Sequence, residues 1–201
     1  RASILPAGHI PNAAYWFDDA TGNWITSTYY PDSVGLPKWV QDFNARRLAD
    51  TLLSQNWEKL ISGTYHESFS DWDKYNDGEY AKYFIGKKMP YDLPDLKKTG
   101  GYGLLRFTPF GSTYTLDFAM EAINRMQLGA DEVTDLLCVS FSGPDYCAHQ
   151  FGIHGEETED TYLRLDRDIA RFLEFLDKKF GKNNVVVFLT ADHGGAETPA
   201  H

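Results

Sequence analysis

The chain has 201 residues, 42% of them hydrophobic, with 29 acidic side chains against 19 basic ones and a formal charge of -10. That apolar content suffices for one sizeable core and excludes a disordered chain, and one domain is the expectation at this length. The acidic balance argues against a nucleic-acid or anionic-membrane surface, and no apolar run approaches the roughly 18 residues of a membrane span. A phosphate substrate is not excluded, because bound cations reverse the local sign.

The chain begins at Arg1 without a signal-peptide pattern and stops at His201, so it reads as a piece of a longer protein. Two cysteines, Cys138 and Cys147, are too few for a disulfide framework. Free thiols are expected, with Cys138 as a small buried hydrophobe on a strand.

No internal repeat is visible. Residues 1–103 are rich in aromatics, Gly and Pro, whereas residues 104–201 show cleaner periodicity. Ala14 to Phe17, the turn-forming Asp18 to Gly22, and Asn23 to Thr28 predict a β-hairpin. Leu36-Pro37 opens a helix that runs through Trp39, Val40 and Phe43, with a second piece from about Leu48 to Leu53. Residues 63–100 mix Tyr, Trp, Asp, Gly and Lys without a period. They read as loop-rich, and about 30–103 is expected to form an insertion or cap over the main sheet, or else an irregular surface connection.

Thr115 to Leu128 places Leu116, Ala119, Met120 and Ile123 at helical spacing. Leu136 to Phe141 is a nearly continuous apolar run that suits a strand buried on both faces, ended by Ser142-Gly143-Pro144. Glu156 to Phe180 predicts a long helix with a stripe of Tyr162, Leu165, Ile169, Phe172, Leu173 and Leu176. Acids at its start and Lys178-Lys179 at its end complement the macrodipole, and Gly181 stops it. Val185 to Thr190 is a second buried strand. Strand, helix and strand make a right-handed βαβ unit within 104–201. The expected class is therefore α/β, a mostly parallel sheet flanked by helices, with its site beyond the carboxyl ends of the strands.

Each of those strand ends delivers one Asp and one His: Asp145 and His149 after the first, Asp192 and His193 after the second. Asp145 and His149 share a face if one helical turn joins them. Asp192 and His193 converge only if the strand has ended, which Gly194-Gly195 favours. Imidazole with carboxylate suits zinc or a similar divalent ion, and two such pairs suggest two ions about 3.5–4 Å apart. Taken singly, each motif is more often a capped turn or a satisfied polar pair; their joint placement points to metal. Each ion remains short of ligands from these residues alone.

Three motifs carry a resemblance: Ser140-Phe141-Ser142-x-x-Asp145-x-x-x-His149-x-Phe151-Gly152; Glu159-Asp160-x-Tyr162-x-x-Leu165-Asp166; and Leu189-Thr190-Ala191-Asp192-His193-Gly194. Together they resemble the alkaline phosphatase superfamily, in the branch shared with type I phosphodiesterases and nucleotide pyrophosphatases. Thr21 to Ser27 and Leu36 to Val40 resemble its bacterial, phosphate-irrepressible alkaline phosphomonoesterases. The resemblance implies two zinc ions, a Thr or Ser nucleophile and hydrolysis of small-molecule phosphate monoesters through a phospho-enzyme in a secreted or periplasmic protein. It assigns Asp145 and His149 to the ion at the leaving-group oxygen, and Asp192 and His193 to the ion at the nucleophile. The family's nucleophile, a further Asp ligand and a further His ligand fall outside this chain, so the chain alone is expected to be inactive.

Arg1 matches the phosphate-contacting Arg of the family's Lys-x-Arg segment, because Ala2 to His9 resembles the stretch on the C-terminal side of that segment. His9, His154 and His201 read as structural or terminal, Ser112 or Thr113 as a helix N-cap, and the aromatics from Trp72 to Tyr91 as packing or a substrate-facing cap. No pattern specifies an oligomeric state. A phosphodiesterase or nucleotide pyrophosphatase is the alternative enzyme. A sulfatase would need a Cys-x-Pro-x-Arg motif, which neither cysteine has. A non-catalytic binding module would show missing ligands, and all four positions are filled.

Overall fold

The computed structural model describes residues 8, 11–30, 35–63, 84 and 87–196. The predicted hairpin forms as β1 (Trp16–Asp18) and β2 (Asn23–Ile25), antiparallel, with Phe17 opposite Trp24. Its turn is built by Asp18, whose carboxylate accepts the Thr21 hydroxyl at 2.5 Å and whose carbonyl accepts the Gly22 amide at 2.8 Å. Gly22 has a φ of 74°, and a Cβ there would fall 2.6 Å from the Tyr102 ring. Both the backbone and the close approach therefore require glycine.

Pro37 precedes α1 (Lys38–Ala45), and α2 (Leu48–Leu52) comes next, as the sequence predicts. The Asn44 carboxamide of α1 brackets Trp24, accepting its amide and donating to its carbonyl, both at 2.9 Å. That pairing satisfies the free edge of β2 and seats Trp24 in the core. There Trp24 stacks on Phe118 with ring centres 4.1 Å apart.

Regular structure continues into the stretch 63–100 that reads as loop-rich. Asn56–Trp57 (β3) pairs antiparallel with Tyr91–Asp92 (β4), which runs directly into α3 (Leu93–Gly100). Asp92 caps α3 by accepting the Asp95 amide at 3.0 Å, and Pro94 fits its first turn. Residues 64–83 and 85–86, much of the proposed cap and most of the aromatic stretch from Trp72, lie outside the described residues.

A 3-10 helix (Gly101–Phe107) leads into α4 (Phe110–Arg125), which starts five residues before the expected Thr115. Neither Ser112 nor Thr113 is its N-cap. Pro109 holds that position, Ser112 is buried, and the Thr113 hydroxyl donates to Asp168 at 2.7 Å. Then come α5 (Gly143–Phe151) and α6 (Glu156–Phe180), the latter with the boundaries its periodicity predicts.

The two apolar runs differ from expectation. Residues 136–141 and 185–190 belong to neither described ladder, and both described ladders are antiparallel. Leu136 is 82% exposed and Phe188 84%. A strand apolar on both sides is buried only between neighbouring strands and two covering layers, and the described residues supply neither. Cys138 shares this fate and is exposed, while Cys147 is the buried cysteine; both are free thiols.

Candidate metal centre

Ser142-Gly143-Pro144 ends the first apolar run and starts α5, with Pro in the first turn. Gly143 lets α5 approach α4, since a Cβ there would lie 2.9 Å from the Ser112 hydroxyl. Asp145 and His149 then project from one face, one turn apart, with Asp145 Oδ1 at 3.5 Å from His149 Nε2.

The second pair comes from the segment after the second apolar run, where residues 192–193 form a bend. His193 Nε2 lies 3.7 Å from Asp145 Oδ1 and 3.8 Å from Asp192 Oδ2. The two pairs thus approach one another through Asp145 and His193. They stand open to solvent: His149 is 75% exposed and Asp145 45%.

His193 Nδ1 lies 3.1 Å from the Gly194 carbonyl. A carbonyl only accepts, so this contact favours the proton on Nδ1 and leaves Nε2 facing the two aspartates. The Gly194 carbonyl, followed by the charge of Asp192, raises the pKa of this imidazole; burial opposes them, and the Asp145 charge adds the smallest contribution.

The donor chemistry fits zinc. Two ligands on one tetrahedral ion sit about 3.3 Å apart, and the N–O separations within the pairs, 3.5 Å for Asp145–His149 and 3.8 Å for Asp192–His193, lie close to that span. Each Asp/His pair offers two of the four ligands such an ion takes. Among the described residues, no three His, Cys, Asp or Glu side chains are gathered to hold one ion.

The rear of α5 is firmly packed. Phe151 lies against the rings of Trp57, Phe84 and Tyr91. Gly152, at φ 80°, turns the chain away, and its carbonyl accepts the buried Thr158 hydroxyl of α6 at 2.8 Å. Cys147 is fully buried; desolvation, only partly countered by the Thr161 hydroxyl, pushes its pKa up to about 12.

Sequence reasoning missed two buried carboxylates on α6. Glu157 accepts the Tyr91 hydroxyl at 2.6 Å. Asp160 accepts the Trp57 indole N–H at 2.8 Å and the Leu60 amide at 2.7 Å, and pairs with Arg164 at 2.7 Å. Acids in the first turns of a helix ordinarily signal the macrodipole, so no local pattern marked these as buried. Arg1, His9 and His201 lie outside the described residues. His154 does not join the centre; with Ile153, Tyr162 and Asp166 it lines a separate cavity of about 430 Å³.

A helix-borne Asp/His pair and a second pair from a later loop thus bring side chains of metal-binding chemistry to one exposed place. Residues 2–201 match the model of the type I phosphodiesterase / nucleotide pyrophosphatase family, and the chain belongs to that family. It is 48% identical to alkaline phosphatase PafA of Elizabethkingia meningoseptica over 98% of its length, and 45% identical to alkaline phosphatase PhoV of Synechococcus elongatus over 99%. A Myroides odoratus protein named calcium-transporting ATPase is 52% identical over 99% of the chain. The chain spans about a third of the length of these relatives, 36% in each case. The crystal structure of wild-type PafA matches it with a TM-score of 0.75 at 42% identity, over 91% of this chain and 35% of that one. The fold is accordingly α/β, a part of the alkaline phosphatase core in which helices predominate. Among the described residues no helix is long and apolar enough to cross a membrane.

Proposed function

We propose that this chain supplies four metal ligands to a zinc-dependent hydrolase of phosphate monoesters. The observation that carries the reading is the meeting of Asp145 and His193 at 3.7 Å, which joins two Asp/His pairs from separate segments at one exposed place. Asp145 and His149 would hold the ion beside the leaving-group oxygen, and Asp192 and His193 the ion beside the nucleophile. Such ions supply charge stabilisation to the attacking, leaving and equatorial oxygens of an in-line phosphoryl transfer.

The chain's own residues orient that chemistry. The Gly194 carbonyl holds the His193 proton on Nδ1 and so aims Nε2. α5 presents Asp145 and His149 to solvent, where a substrate can reach them. In this reading Arg1 contacts the phosphate through its guanidinium fork. The nucleophile and the remaining ligands come from outside the 201 residues, the phosphoryl group passes through a phospho-enzyme, and the protein works in the periplasm or outside the cell.

The test is metal content and aryl-phosphate hydrolysis, measured side by side on this chain and on the full-length protein. The expected outcome is two zinc ions and turnover in the full-length protein, with neither in the 201-residue chain. Absence of both from the full-length protein would overturn the reading in favour of a binding module. The alkaline phosphatase relatives favour a monoester over a diester, and hydrolysis of an aryl monoester against its methyl diester separates the two.

A further inference from the structure

The face of α5 that bears Asp145 and His149 is exposed, while the opposite face is anchored through one sulfur. Cys147 lies two residues from each ligand, about 160–200° around the helix from both. Its thiol donates to the Phe107 carbonyl at 3.3 Å, at the end of the 3-10 helix, and accepts the Thr161 hydroxyl of α6 at 3.3 Å. Neither Cys147 nor Thr161 has any exposed surface. One turn along, Thr158 of α6 secures the carbonyl just past the end of α5. The Phe107 ring meets the edge of Tyr146, the residue between Asp145 and Cys147, at 5.3 Å.

α5 is therefore held between two elements at the level of its metal ligands. A close-packed interior transmits a change of one methyl group as displacement rather than absorbing it. A short helix moves as a body, so a shift at the sulfur carries Asp145 and His149 with it. His193, on a separate segment, does not move with them, and the 3.7 Å separation between the two pairs changes.

We infer that Cys147, keyed between Thr161 and Phe107, is a positioning residue for the Asp145–His149 pair and sets its distance from the Asp192–His193 pair. The inference rests on the reading of these four side chains as metal ligands. It assigns Cys147 no contact with metal or substrate.

The test uses the full-length protein with cobalt(II) as the probe ion. Its visible absorption reports ligand geometry, and competition with a chelator gives affinity. Cys147→Val adds bulk and removes the donor. It is expected to shift the cobalt bands and weaken affinity by about tenfold or more, the scale of disturbed supporting contacts at metal sites. Cys147→Ser keeps the donor at smaller size and is expected to recover the spectrum, with affinity within about threefold of the parent. Thr161→Val keeps the shape and removes one hydrogen bond; it gives a smaller shift in the same direction, and serves alone should Cys147→Val not fold. Unchanged bands and affinity in the folded variants, with stability alone reduced, would overturn the inference and leave the metal reading standing. Failure of the parent protein to take up cobalt or zinc would overturn both.

Discussion

The indole N–H of Trp57 donates to the Asp160 carboxylate at 2.8 Å, and both residues are without exposed surface. The contact joins the two-stranded ladder at β3 to α6, the helix behind α5. Asp160 also accepts the Leu60 amide and the Arg164 guanidinium, while Arg164 reaches on to the Glu58 carbonyl at 2.6 Å. Removing the carboxylate leaves three donors without their acceptor. Asp160→Ala is expected to destabilise by about 3–5 kcal/mol, the scale for breaking a buried charged pair. Trp57→Phe, which loses one donor, should cost about 1.5–3 kcal/mol. Urea unfolding of the two variants checks the order, and equal effects would contradict it.

Asp50 supplies a test at acid pH. Burial opposes its ionisation, but hydrogen bonds from Lys97, Arg47 and Tyr102 overcome that and hold its pKa well below the usual carboxylate range. The folded pKa is depressed, so the stabilisation is present above the unfolded value near pH 4 and is lost progressively as pH falls below it. Asp50→Asn should lower the urea midpoint at neutral pH, and its deficit should shrink steadily below about pH 4. A deficit constant from pH 7 to strong acid would refute the assignment.

The two thiols should behave differently in the 201-residue chain. Exposed Cys138 is expected to react with an aromatic disulfide reagent under native conditions, and Cys147 only on unfolding. The folded pKa of Cys147 is raised to about 12, so its contribution to stability is complete below the unfolded value near 9 and declines as pH rises toward about 12. Thiol titration before and after denaturant checks the first statement, and reaction of both thiols in the native chain would contradict it.

Metal stoichiometry separates the two Asp/His pairs. In the full-length protein, Asp145→Ala and Asp192→Ala should each reduce bound zinc from about two ions per chain toward one. Both should also lower aryl-phosphate turnover by about 100-fold or more, as expected when charge stabilisation at a reacting oxygen is lost. Elemental analysis of dialysed protein reads the first effect. Full zinc content in either variant would remove that residue from the ligand set.

Residues 185–189 expose a continuous apolar run, with Val186 at 78% and Leu189 at 81%. A patch of this kind associates in water. The 201-residue chain is expected to bind a hydrophobic dye and to self-associate with rising concentration. Val186→Lys combined with Phe188→Lys should reduce both, as read by dye fluorescence and sedimentation.

The sequence by itself determined what depends on near neighbours. α6 occupies Glu156–Phe180 because its apolar period, first-turn acids and Gly181 all act within a few turns of one another. The hairpin arises from Asp18 and Gly22 in the same way. The four metal-ligand candidates were legible because their chemistry is written in short spacings, Asp145 with His149 and Asp192 with His193. α3 was missed although Asp92 and Pro94 mark its start, because Leu93 and Leu96 alone give it little apolar period. The tertiary structure decided everything that joins distant segments. Glu157 and Asp160 resemble any solvated helix-start acids until Tyr91 and Trp57 arrive from the β3–β4 ladder. The runs 136–141 and 185–190 have the composition of buried strands, yet burial requires neighbours, and composition cannot supply them. His193 lies 3.7 Å from Asp145, and Cys147 and Thr158 hold α5 from behind, contacts that no spacing within either motif specifies.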